Sequence, residues 1–154
     1  MRFVLLAAVA ALSFAAAAAA QLRPQEAAGT IRTRQANYKQ MAAAMKGIND
    51  QLRSRRPSAQ AIRRSSALIA GFAPRLLTWF PPGSGPEAGV RTRARPEIWA
   101  NHRDFTRAGA VLVVAARNLD AAARRGDVAA VRAAAPAVSR ACGGCHDDYR
   151  APEP

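Results

Sequence analysis

The sequence predicts an all-α fold, an antiparallel up-and-down bundle of four helices, and three observations predict it. Apolar residues recur at three- and four-residue steps along four stretches of roughly 20 to 29 residues, the spacing of one helix face. Nowhere is there a sustained alternation of apolar and polar residues of the kind a half-buried strand requires. The chain has 154 residues, 50% hydrophobic and 21% charged, which allows one ordinary core and excludes disordered, collagen-like and disulfide-scaffold classes.

The first 20 residues read as a secretory signal peptide. A short charged start, Met1 and Arg2, is followed by an apolar run from Phe3 to Ala20 broken only by Ser13, and the run ends in small residues before Gln21. Cleavage after Ala20 leaves a domain of residues 21–150, a disordered tail of residues 151–154, and no second apolar stretch of spanning length. The expected location is a bacterial periplasm, with no membrane span after processing. Helix A is predicted from about 25 to 52, with Ile31, Tyr38, Met41, Met45 and Ile48 on one face. The basic segment from Arg53 ends at Pro57, and Ser58 is the N-cap of helix B, about 59 to 79. Gly71 and Pro74 inside helix B predict a kink near residues 70 to 74. Residues 81 to 94 carry Pro81, Pro82, Gly83, Gly85, Pro86 and Gly89 and form the one long loop. Pro96 opens helix C, about 96 to 124, with Ile98, Phe105, Val111, Leu112 and Leu119 at helical spacing. Gly126 turns the chain and Asp127 caps helix D, about 128 to 149, where Pro136 either bends or breaks the helix. At 1.5 Å per residue the four helices are about 30 to 43 Å long, matched lengths for a bundle.

The net charge is +13, carried by 21 Arg and 2 Lys against 10 acidic residues, and falls to +12 when Arg2 leaves with the signal peptide. An exported protein rarely meets DNA, and the arginines are spread through every segment, so nucleic acid is discarded as a partner. The surface would steer acidic partners, more strongly at low salt.

The chemistry lies near the C-terminus. The only cysteines, Cys142 and Cys145, stand in Cys-Gly-Gly-Cys-His with His146, the attachment pattern of haem c. Two thiols at this spacing add across the two haem vinyl groups while the adjacent imidazole reaches the iron. On a helix, positions 142, 145 and 146 share one face. A disulfide between cysteines three apart closes almost no loop. A thioredoxin-like pair would follow a strand, and zinc would take every thiol and imidazole in the chain, His102 included. A bundle lined by many of the chain's 39 alanines also leaves room that a flat apolar macrocycle would fill.

Three segments, Ile31 to Met41, Arg95-Pro96-Glu97-Ile98-Trp99 and Cys142 to Arg150, give the chain a resemblance to the cytochrome c′ family, four-helix bundles with haem near the C-terminus, over almost all of the mature chain. That resemblance implies that Arg34 pairs with a haem propionate and that Tyr38, four residues later, faces the vacant side of the iron. Low-spin relatives carry a ligating Met where Tyr38 stands, so the resemblance implies five-coordinate, high-spin iron with His146 as its one protein ligand. Met41, a pocket residue three positions past the ligand register, is the competing axial ligand. Arg150, one turn after His146, implies a proximal role in meeting ligands or tuning the iron, and Trp99 and Tyr149 pack around the haem. His102 is read as an ordinary surface or core histidine.

The leading function is therefore binding of NO and CO with Fe(III)/Fe(II) redox chemistry, serving NO sequestration. The alternative is low-spin electron transfer with Met41 as second ligand. Enzymatic peroxidase turnover is not expected, because helix A offers no His, Asp or Glu on the Tyr38 face to cleave an O–O bond. Expected partners are NO, CO and a redox protein, acidic if charge selects it. Family members are often homodimers through the first two helices, and Arg32, Lys39 and Lys46 on helix A bear on that contact.

Overall fold

The computed structural model describes residues 22–152; the expected signal peptide and the last two tail residues lie outside them. Its helices are α1 (Pro24–Arg53), α2 (Ala59–Phe72), α3 (Glu97–Ala100), α4 (His102–Arg124) and α5 (Val128–Tyr149). The four long ones form an antiparallel bundle, with α1 against α2, α2 against α4 and α4 against α5. Among the described residues the only β pairing is an isolated antiparallel bridge between Ala94 and Arg150. None of the described helices is long and apolar enough to cross a membrane.

Local chemistry sets most of the boundaries. Pro24 stands in the first turn of α1, where a missing N–H costs nothing, and Glu26 accepts the Arg23 N–H at 3.0 Å. Ser58 Oγ accepts the Ala61 N–H at 3.2 Å and Asp127 Oδ1 the Ala130 N–H at 2.9 Å, so α2 and α5 start where their capping residues dictate. Gly126, at φ 72°, makes the left-handed step that lets α4 turn directly into α5. Inward faces pack Ile48, Ile62, Ile69, Phe105, Leu112, Leu119, Val131 and Val138 into one core, each contributing about 1.5 to 3 kcal/mol. The core also holds one polar tie: Ser66 Oγ donates to Asp120 Oδ1 at 3.2 Å, and Asp120 pairs with Arg124 at 2.9 Å.

Two expectations are corrected. Helix B is not one helix: at Ala73 the chain tightens into a 3-10 segment running to Trp79, with Pro74 at its start, so the kink falls at the place its proline marks. Helix C is interrupted at Asn101 (φ −117°, ψ 47°), which separates the single turn of α3 from α4. The Trp99 indole N–H reaches the Phe80 and Pro81 carbonyls at 3.1 and 3.2 Å and fixes α3 against the loop, a tertiary demand that overrides helical continuity. Residue 151 is tied back to the segment before α3: the Ala151 N–H donates to the Arg93 carbonyl at 2.8 Å and Arg93 Nε donates back to the Ala151 carbonyl at 2.7 Å. Pro136, for which bending and breaking were both open, leaves α5 as one helix. It lies on the exposed face, where water can satisfy the Arg132 carbonyl that its ring deprives of a partner.

Candidate functional site

The last turns of α5 carry Cys142, Cys145 and His146. Both thiols are free and half-buried, and burial pushes each above the ordinary thiol value, with Cys142 and Asp148 adding to the effect at Cys145. The spacer residues Gly143 and Gly144 sit in open surroundings: a Cβ on either would meet nothing within 4 Å. Backbone bonds to the segment before α3 hold this helix end in place. The Arg95 N–H donates to the Tyr149 carbonyl at 3.1 Å and Arg95 Nη1 to the Asp147 carbonyl at 3.3 Å.

His146 is exposed, and Arg150 Nη1 lies 3.2 Å from its Nδ1. A guanidinium can only donate, so in this arrangement Nδ1 accepts and the ring proton sits on Nε2; ligation of a metal through Nε2 would require that proton to leave or move to Nδ1 and the Arg150 contact to give way. Burial, then Arg150 and Arg93, hold the imidazole below the ordinary histidine value against the opposing pull of Asp147, which keeps the ring neutral and able to ligate a metal at neutral pH.

Tyr38, on the buried face of α1, stands across from this motif. Burial is the main cause, and the facing Cys145 and Cys142 sulfurs assist it, in raising the phenol far above its ordinary value despite the nearby Arg34. A phenol so placed is neutral at physiological pH in the absence of a metal. Its ring is edge-on to Trp79 (centroids 5.4 Å apart) and tilted against Phe80 (6.3 Å). Phe80 continues the array to Trp99 at 6.2 Å and Phe105 at 5.0 Å, and Phe105 meets Tyr149 at 5.1 Å. These rings form a continuous wall from the first helix to the haem-attachment helix, each pair adding to the stabilisation from burial. Tyr38, Trp99 and Tyr149, singled out from sequence, thus belong to one array. Trp79 and Phe80 were missed, although two aromatics ending a helical stretch before Pro81-Pro82 are a signal that could have found them.

Arg34 is buried, and the structure gives it work the sequence did not reveal. Its Nη1 donates to the Trp79 carbonyl (3.2 Å) and Ser84 Oγ (3.1 Å), and its Nη2 to the Ser84 carbonyl and Thr92 Oγ1 (both 3.0 Å). The guanidinium also lies over the Phe80 ring, 4.4 Å from its centroid. Both terminal nitrogens are therefore given to the loop, and only Nε is left for a further acceptor. Gly85 allows this close packing, because a Cβ there would come 2.9 Å from the Trp99 ring and clash with the Glu87 carboxylate. Met41 is buried in the core one turn beyond Tyr38, and His102 is exposed beside Phe105.

The donor set fits a covalent haem. Two half-buried thiols three residues apart, an imidazole kept neutral beside them, open space at the spacer glycines and an aromatic wall opposite are what a macrocycle bonded through its vinyl groups would need. Among the described residues no group of three or more His, Cys, Asp or Glu could hold a metal ion by itself.

Comparison with known proteins agrees with this geometry. A family profile described as Cytochrome C′ matches residues 29–150. The chain is 34% identical over 143 residues to the cytochrome c′ of Allochromatium vinosum, covering 92% of this chain and 91% of that protein. Among solved structures, a cytochrome c′ described as having an unusual ligand-controlled dimer dissociation superposes with a TM-score of 0.75 at 31% identity, covering 86% of this chain and all of that one. The ferrous cytochrome c′ of Alcaligenes xylosoxidans, an arginine-to-lysine variant with bound NO, superposes with a TM-score of 0.73 at 26% identity, over 85% of this chain and 98% of that one.

Proposed function

The chain belongs to the cytochrome c′ family, a family that carries one covalent haem c, and from that premise we propose that it is a periplasmic haem protein with five-coordinate, high-spin iron that binds NO and CO and changes between Fe(III) and Fe(II). Cys142 and Cys145 would hold the haem as thioethers and His146 would ligate its iron. The observation that carries the reading is Tyr38: a half-buried phenol, held edge-on to Trp79 and tilted against Phe80, stands where a low-spin protein would need a strong ligand. When bound, haem supplies an iron that changes oxidation state and accepts diatomic molecules. Everything else falls to the chain's own residues. Tyr38 and the Trp79–Phe80 wall keep water and bulky ligands off the distal side. Arg150 flanks the His146 ring on the proximal side, and Arg34 holds the loop that backs the wall, with Nε left to meet a propionate. The NO-bound relative supports NO as a ligand, and NO sequestration is the role this site suits best.

An acidic redox protein and a homodimer through α1 and α2 complete the proposal. The relative with ligand-controlled dimer dissociation supports the dimer, and exposed Arg32 and Lys39 on α1 would make it weaker at low salt. The test is titration of the ferrous protein with NO and CO, wild type beside Tyr38→Ala. Removing the ring should raise CO affinity at least tenfold, because a ligand no longer has to displace a packed side chain. An unchanged affinity would mean that Tyr38 does not border the ligand site.

A further inference from the structure

The acidic residues are unevenly placed along the bundle. α1 and α4 end, and α2 and α5 begin, at one pole, tied together by the Ser66–Asp120 bond and by Arg132 Nη2 donating to the Leu52 carbonyl at 2.7 Å. The thiol motif lies at the other end of α5, 14 residues from Val128 and so about 21 Å away. At the first pole the exposed guanidiniums of Arg55, Arg56, Arg63, Arg64 and Arg125 form no ion pair or hydrogen bond among the described residues. The acidic residues there are already engaged. Asp50 is paired with Lys46 and Arg53, Asp120 with Arg124 and Ser66, and Asp127 caps α5. Glu26, Glu87, Glu97, Asp104, Asp147 and Asp148 all lie toward the haem-attachment end.

We propose that this arginine pole docks the protein on an anionic phospholipid surface with the haem end turned away from it. Guanidiniums match phosphate oxygens in paired hydrogen bonds, and five of them without internal partners, in the turn after α1, on α2 and at the end of α4, present a surface whose carboxylates are already engaged. Two features favour a bilayer over an acidic protein. A protein interface needs a dry apolar centre, yet the large hydrophobic residues exposed in the described chain, Val111 and Val114, lie midway along α4 and not at this pole. A redox protein would also gain nothing by docking about 21 Å from the attachment site, whereas a surface that only localises the molecule gains by leaving the haem end free.

The experiment is co-sedimentation of the haem-loaded protein with vesicles of phosphatidylcholine alone and with phosphatidylglycerol added, at low and at physiological salt. Two variants remove equal charge: Arg55→Gln, Arg56→Gln and Arg125→Gln at the pole, and Arg91→Gln, Arg103→Gln and Arg117→Gln elsewhere. Binding should require phosphatidylglycerol and weaken with salt. Each pole arginine near an anionic surface is worth about fivefold in affinity, so the pole variant should bind about a hundredfold more weakly, while the second variant keeps most of its affinity. Equal losses would mean that only net charge matters and would overturn the proposal. So would equal binding to neutral vesicles, or no binding to anionic ones at low salt. None of these outcomes bears on gas binding, which is read from the haem spectrum.

Discussion

Replacing Arg34 with leucine tests how the distal side is held together. The wild-type guanidinium supplies all four hydrogen bonds that tie α1 to the Trp79 carbonyl, both oxygens of the fully buried Ser84, and Thr92. Ser84 Oγ keeps a second bond to the Pro81 carbonyl at 2.8 Å, so the orphans are mainly the Trp79 and Ser84 carbonyls. At about 1 to 3 kcal/mol per unsatisfied buried group the gross cost is about 2 to 6 kcal/mol. Leucine recovers part of this by removing a guanidinium whose burial already lowers its pKa. The net loss should be about 3 kcal/mol, a fall in Tm of about 10 °C for a domain of this size. Thermal unfolding of the haem-loaded protein by circular dichroism measures it. Arg34→Lys should recover less than half, because one ammonium cannot reach four acceptors on two sides of a fork. A loss below about 1 kcal/mol for the leucine variant would refute the view that Arg34 clamps the loop.

Other consequences are as direct. Pro136→Ala restores an N–H to the Arg132 carbonyl on the exposed face of α5 and should raise stability by about 1 kcal/mol in denaturant unfolding; a loss would show that the proline's bend is used in packing. Gly85→Ala should cost about 1 to 3 kcal/mol in the same assay, because its Cβ must displace the Trp99 ring. An unchanged midpoint would mean that the loop yields freely. Replacing both Cys142 and Cys145 with alanine should leave no haem on the chain after denaturing chromatography, and haem that survives would rule out thioether attachment.

How much of this was legible in the sequence differs from element to element. The spans of α1 and α5, and the caps at Ser58 and Asp127, follow from local rules of period and side-chain bonding, and local rules are what one sequence exposes. The break at Asn101 and the 3-10 segment after Phe72 depend on Trp99 meeting Phe80 and on Leu77 packing against Gly109, and no window of sequence contains those contacts. The attachment motif was legible because its chemistry is confined to five consecutive residues. Arg34 was singled out only through family resemblance. Its loop partners lie 45 to 58 positions away and include two backbone carbonyls, which carry no side-chain signature.

The optical spectrum of the purified protein, ferric and then ferrous, with and without NO and CO, tests the central claim most directly, and Met41→Leu belongs beside the wild type. Tyr38 as a neutral, non-ligating wall predicts a broad high-spin Soret band that shifts on adding either gas and is the same in the Met41→Leu variant. A narrow low-spin spectrum that ignores CO, and turns high-spin in Met41→Leu, would contradict it and make Met41 the second axial ligand of an electron-transfer protein.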